Sequence, residues 1–366
     1  MGVISFARGV PAPECLPVSE LADCARAAIE RDGASVLSYG PGGGYAPLRE
    51  WIAARHGVEP SRVVITSGSL QGFVFLVEQL VKPGSRVLVE APTYDRPLKI
   101  LNRLGAEIVG LPMDDDGLQV VALERALADG EKPAFLYTIA TFQNPSGRTL
   151  STERRRRIAE LAREHELLVL EDDPYGLVRY EGEAPPTIFE LEGGTNVAYA
   201  SSFSKTIAPG VRVGYFVLPP ALAAQIEALA VSTYISPPFL TQAAVYEFVS
   251  RGLFEPNLER VTGLLGARRD AMLAALEEHM PEGATWSRPE GGYFIWLDLP
   301  HEAGDLLARA EAAGVTFVQG TDFFADGSGT RSLRLAFSFV SVDEIAEGVS
   351  RLAGLLRGAP APASTL

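Results

Sequence analysis

Residues 197–217 read Val-Ala-Tyr-Ala-Ser-Ser-Phe-Ser-Lys-Thr-Ile-Ala-Pro-Gly-Val-Arg-Val-Gly-Tyr-Phe-Val. Two short apolar runs, Val197–Ala200 and Val213–Val217, read as buried strands. They are brief, rich in apolar and aromatic residues, and bounded by turn residues. Between them lies a Ser/Gly-rich loop that carries Lys205 and Arg212. Open α/β sheets bind ligands beyond the carboxyl ends of their strands, so polar residues gathered at such an end mark a candidate site.

The same form recurs upstream. Val63–Thr66 runs into Ser67-Gly68-Ser69 and a helix through Leu80, which Lys82-Pro83-Gly84 stops. Strand Arg86–Glu90 leads to helix Tyr94–Leu104, and strand Glu107–Leu111 to helix Val120–Leu127. Strand Ala134–Thr138 precedes a loop with Gln143-Asn144-Pro145 and then helix Thr152–His165. Apolar strand Leu167–Leu170 ends in Glu171-Asp172-Asp173-Pro174-Tyr175. Such alternation predicts an α/β domain with a mostly parallel sheet covered on both faces. Four polar clusters at strand ends point to one shared site.

The C-terminal part changes character. Helical stretches over about 237–250 and 252–279 precede strands near Trp286 and over Tyr293–Asp298. Helix Ala303–Ala313, strands Thr316–Val318 and Ser332–Ala336, and a last helix Val342–Leu356 follow, predicting a smaller α+β domain. The N-terminal part holds an extended start, a Pro-rich turn and a helix with Leu21, Cys24, Ala25, Ala28 and Ile29 at helical spacing. We expect a large domain over 40–250 and a small one built from 1–39 and 251–357, in keeping with a chain of 366 residues. Residues 358–366 predict a disordered tail.

A net charge of −14 and the lack of a basic stripe argue against a nucleic-acid partner. Arg155, Arg156 and Arg157 share a helix with Glu153, Glu160 and Glu164 and read as a solvated face. No apolar run nears the roughly 20 residues of a membrane span, and no leader is visible, so a cytoplasmic, non-membrane protein is expected. Cys15 and Cys24 fit neither a metal knuckle nor a redox pair and read as buried thiols. His56, His165, His279 and His301 are scattered, so no metal site is predicted.

Lysine is scarce. Lys82, Lys99 and Lys132 sit in a turn, on a helix and in a polar loop, and read as solvated charges. Lys205 is either another surface lysine or an amine poised for covalent chemistry, for which a desolvated, cationic setting such as that near Arg212 would release its proton. Asp172 is either a turn aspartate before Pro174 or a carboxylate aimed into the site. Ser67-Gly68-Ser69 is a plain helix start or an anion cradle, with Arg212 and Ser202 as further donors. Asn144 is a turn residue or a buried donor. Arg334, interrupting an alternating strand, is a snorkelling edge residue or a carboxylate clamp.

Together the landmarks resemble the fold-type-I aminotransferases of class I/II, which use pyridoxal 5'-phosphate (PLP). More narrowly, they resemble the group holding the 2-aminoadipate aminotransferases and the aminotransferase-like domain of GntR-type (MocR) regulators. The landmarks are Ile4-Ser-Phe-Ala, Tyr39-Gly-Pro, Gly44-Tyr45-x-Pro-Leu-Arg49, Pro92-Thr-Tyr94, Gln143-Asn144-Pro-Ser-Gly, Glu171-Asp172-Asp-Pro-Tyr175, Ser202-Phe-Ser-Lys205-x-x-x-Pro-Gly-x-Arg212, Gly291-Gly292 and Arg334-Leu-x-Phe-Ser338. The resemblance covers nearly the whole chain and implies a mostly parallel seven-stranded sheet plus a small α+β domain.

It also implies roles. Lys205 forms the Schiff base with the cofactor and shuttles the proton at Cα, with Asp172 on the pyridine nitrogen. Asn144 and Tyr175 hydrogen-bond the ring oxygen, and Tyr94 stacks on the ring. Gly68, Ser69, Ser202, Ser204 and Arg212 hold the phosphate, and Tyr39 reaches the phosphate of a neighbouring subunit in a homodimer. Arg334, with Asn144, binds the substrate α-carboxylate. The expected reaction moves an amino group between an L-amino acid (glutamate, 2-aminoadipate, aromatic or branched-chain) and a 2-oxo acid.

The sequence departs from the family in two places. The arm usual before Ile-Ser-Phe-Ala is not seen ahead of Ile4, and Arg8-Gly9 replaces Gly-Gly. Arg8 either points to solvent or meets the distal carboxylate of an acidic substrate. Decarboxylase, β-lyase or oxidase chemistry on the same scaffold is the alternative. A sensor role tied to a DNA-binding domain is disfavoured by the start at Ile4 and the acidic charge.

Overall fold

A computed structural model describes residues 2–357; the expected tail, 358–366, lies outside the described residues. The large sheet runs in the order 63–66, 214–217, 197–202, 169–172, 135–138, 86–91, 107–114 and 117–118. The five strands from Val197–Ser202 to Glu107–Asp114 are parallel, and Gly214–Val217 is antiparallel to both neighbours. These are the seven expected strands; the eighth, Gly117–Leu118, is a two-residue hairpin return on the seventh.

Near-continuous apolar strands arise because helices cover both faces. Leu88, Leu136, Val169 and Val197 pack on one side with helices Ala46–His56, Thr152–Glu164 and Phe239–Ser250. Val87, Tyr137, Leu170 and Ala198 pack on the other with Ser69–Leu80, Asp95–Arg103 and Pro220–Tyr234. Helix Pro220–Tyr234 goes beyond the sequence expectation: its apolar residues spread around the axis and leave no stripe to read. The strand expected at Leu167–Leu170 runs Val169–Asp172 instead, because the Leu167 amide donates back to Ala162 and closes the preceding helix. That two-residue shift makes Asp172 the last residue of a strand.

The second core has a four-stranded antiparallel sheet, ordered 285–286, 294–298, 332–336 and 318–319, against helices Phe254–His279 and Val342–Arg357. The expected strand Thr316–Val318 is split in two around buried Phe317. Ile4–Ser5 pairs in parallel with Val315–Thr316, and Ile4 and Phe6 join this core. Helix Val18–Val36 does not follow them. Its Cys24, Ala28 and Val36 pack in the large-sheet core, so placing all of 1–39 with the small part is corrected: the segment divides between the two cores. Cys15 and Cys24 are buried free thiols. Among the described residues, no helix is long and apolar enough to cross a membrane.

Candidate active site

Parallel pairing brings the carboxyl ends of the central strands together. Asp172 ends Val169–Asp172 on the same face as Leu170, whose cross-strand partner is Tyr137. The Tyr137 hydroxyl donates to Asp172 Oδ2 at 2.9 Å. Oδ1 is buried without a hydrogen-bond partner. Burial pushes the Asp172 carboxyl up to about 7; the Tyr137 bond opposes this, and neighbouring Asp173 and Glu90 add to it. Asp173 engages different partners: the Tyr199 hydroxyl donates to its Oδ2 at 2.9 Å and the Gly176 amide to its Oδ1 at 2.8 Å.

Lys205 follows strand Val197–Ser202. Its Nζ donates to the Gly9 carbonyl at 2.7 Å and lies 5.2 Å and 5.6 Å from the ring centres of Tyr293 and Tyr175. The Tyr293 hydroxyl donates to the Lys205 carbonyl at 3.0 Å, fixing the lysine from its own backbone. Burial lowers the amine to about 8, helped by the charges of Arg334 and Arg212. An amine so placed sheds its proton near neutrality, as a nucleophile must. The other lysines are exposed, Lys99 pairing with Asp95 and Lys132 with Glu166.

The helix Ser69–Leu80 begins at Gly68, whose φ of +84° few other residues adopt. A Cβ there would collide with Arg212 Nη2. Arg212 donates to the Ser67 carbonyl at 2.8 Å and to Ser204 Oγ at 3.5 Å, and the Ser202 hydroxyl donates to Ser204 Oγ at 2.8 Å. The Gly68 amide donates to the Thr66 carbonyl at 2.8 Å, so the Ser69 amide at the helix start, the Ser202 and Ser204 hydroxyls and the Arg212 guanidinium gather beside Gly68 as an anion cradle.

Arg334, 7 % exposed, is held between the rings of Phe294 and Phe323, at 4.3 Å and 5.0 Å from their centres. Its Nη1 donates to Asn144 Oδ1 and its Nη2 to the Ala7 carbonyl, both at 2.9 Å, while Nε is buried without a partner. Tyr175 lies against Lys205 and within electrostatic reach of both Asp172 and Arg334, so the structure joins Lys205, Asp172, Tyr175, Asn144 and Arg334. Tyr94, half-buried, caps the start of Asp95–Arg103 and packs against the Tyr137 side of the sheet. Two expected residues stand apart. Arg8 is exposed, its guanidinium 4.7 Å over the Phe339 ring, and Tyr39 is 80 % exposed.

Sequence reasoning missed Tyr137 and the carbonyls of Ala7 and Gly9. A tyrosine in a fully buried strand must find a partner for its hydroxyl, and that signal was available for Tyr137. Main-chain carbonyls carry no side-chain signal.

Residues 4–352 match the family model described as aminotransferase class I and II. The chain belongs to this family. It is 37% identical to aromatic-amino-acid aminotransferase 1 of Thermococcus litoralis, over 97% of this chain and 88% of that protein. It is 38% identical to the 2-aminoadipate transaminase of Thermus thermophilus, over 98% and 91% of the two. The solved structure of α-aminoadipate aminotransferase from Thermus thermophilus, complexed with N-(5'-phosphopyridoxyl)-L-leucine, matches with a TM-score of 0.93 at 37% identity, covering 98% of this chain and 92% of that one.

This class I/II aminotransferase moves an amino group between an amino acid and a 2-oxo acid with PLP as cofactor. Its residues fit that group. The unpartnered Asp172 Oδ1 suits a pyridine N–H, the Gly68 cradle suits a phosphate dianion, and the Lys205 amine suits an aldehyde.

Proposed function

We propose that Lys205 bonds the cofactor aldehyde and moves the proton at the substrate Cα, with Asp172 on the ring nitrogen and Tyr94 on the ring face. Asn144 and Tyr175 take the ring oxygen, the Gly68–Ser69 turn with Ser202, Ser204 and Arg212 holds the phosphate, and Arg334 with Asn144 binds the substrate α-carboxylate. When bound, PLP supplies the sink for the electron pair released at Cα. The observation that carries the reading is the presence in one site of a buried amine, Lys205, lowered to about 8, and a buried carboxylate, Asp172, that has one oxygen free. Arg334 retains the carboxylate, which favours amino transfer over its loss.

Phe294 and Phe323 flank the clamp, so a bulky L-amino acid, aromatic or long-chain, is the proposed donor and a 2-oxo acid the acceptor. Tyr39 serves the partner's phosphate in a homodimer. Exposed Leu37, Tyr39, Val231 and Ile235 support this, since a Cβ on Gly42 would touch Val231 and the two segments therefore adjoin. Free buried thiols suit a cytoplasmic setting.

Borohydride treatment of the holoenzyme tests the lysine: label should sit on the peptide holding Lys205, and label persisting in Lys205→Ala sinks the assignment. Mixing the holoenzyme with each amino acid, and following the cofactor's absorbance from aldehyde to amine form, ranks the donors. No conversion by aromatic or long-chain donors would overturn the substrate reading.

A further inference from the structure

We propose that Tyr137 is a positioning residue that holds Asp172 as a carboxylate turned toward the cofactor ring. The inference rests on the role given to Asp172 above.

Tyr137 lies in strand Phe135–Thr138, is fully buried, and is braced edge-on by Phe73 with ring centres 5.4 Å apart. Its hydroxyl donates to Asp172 Oδ2 at 2.9 Å. Burial and the Asp172 charge hold the phenol proton well above the ordinary range, so Tyr137 remains a donor wherever the protein is folded. A hydrogen bond given to a carboxylate favours the charged form. It also takes Oδ2 out of play, which leaves Oδ1, the oxygen without a partner, for the ring.

The other forces on Asp172 run the opposite way. It is buried, and both Asp173 and Glu90 bear on it with like charge. Glu90 itself accepts three bonds, from the Thr138 hydroxyl, the Ile139 amide and the Gln143 side chain, at 2.6–3.1 Å. Tyr137 is thus the side-chain donor that offsets burial and repulsion at Asp172. Without it the carboxyl keeps its proton to higher pH and meets the ring as an acid.

Cofactor binding to the apoprotein gives the readout. In Tyr137→Phe the affinity for PLP should fall about tenfold to a hundredfold near pH 7 and recover as the pH is raised, matching the loss of one hydrogen bond to a charged group. In an Asp172→Asn background the same substitution should change the affinity less than twofold. Ring-fluorinated tyrosine at position 137, which keeps the packing and donates more strongly, should move the pH midpoint of binding downward. Equal losses in both backgrounds, or a loss independent of pH, would assign Tyr137 to packing and overturn the proposal. If Asp172→Asn alone leaves PLP affinity unchanged, the Asp172 reading itself fails.

Discussion

Arg334 and Asn144 meet at 2.9 Å although 190 residues separate them, one from the small sheet and the other from the loop after strand Phe135–Thr138. The clamp is therefore assembled only when both cores are folded. Arg334→Met should raise KM for the amino donor about a hundredfold, the scale of a lost charge-assisted pair, while Asn144→Ala raises it less. Steady-state kinetics with one donor checks the order.

Arg334 also bears on Lys205. The amine is lowered to about 8, so the rate at which apoprotein captures PLP should climb with pH through a midpoint near 8. Removing the Arg334 charge should shift that midpoint upward, which stopped-flow absorbance across pH 6–10 measures. An unmoved midpoint would mean burial alone sets the amine.

Asp172 makes the apoprotein pH-sensitive. Its folded value, about 7, lies above the ordinary aspartate value of 3.8, so the folded state binds the proton more tightly than the unfolded chain. The contribution is fully present below about pH 4 and is lost as pH rises through 7. Asp172→Asn should therefore raise apoprotein stability at pH 8, by at most about 4 kcal/mol, while eliminating transamination. Thermal melts of both apoproteins at pH 5 and 8 should converge at the lower pH.

Gly68→Ala should weaken PLP binding and destabilise the fold by about 1–3 kcal/mol, because the position has φ +84° and a Cβ would press on Arg212. Denaturant unfolding and PLP titration report the two effects separately.

Arg155 is fully buried, donates to the Ala140 and Leu150 carbonyls, and lies 3.6 Å from buried Glu171. Arg155→Met should cost about 3–5 kcal/mol, since the Ala140 and Leu150 carbonyls lose their donor and Glu171, already pushed up to about 7 by burial, loses its cation and must take a proton. Adding Glu171→Gln should restore part of the loss, which a denaturation series on the single and double variants would show.

Much of this was legible because the apolar strands are short and end in unusual polar residues. Lys205, Asp172, Asn144 and the Gly68 turn all stand at strand ends, where topology alone collects them. Arg334 was visible as a charge in an alternating strand, and its partner Asn144 on the other core was named only through the family resemblance. Arg155 misled for the opposite reason: within Arg155-Arg156-Arg157 the three look alike, yet helical spacing turns the first inward to cap carbonyls. The split of residues 1–39 was hidden because a helix's apolar stripe says that it packs, not on which core.

That N-terminal segment carries a further meaning. It is pinned to the small core at Ile4–Ser5, lends the carbonyls of Ala7 and Gly9 to Arg334 and Lys205, and then enters the large core as a helix. Any drift of one core against the other is felt as tension on two main-chain acceptors, one at the clamp and one at the reactive amine. The linkage is written in the backbone, so truncating the exposed Arg8 side chain passes over it. Only a change in the length or path of the chain would cut the wire.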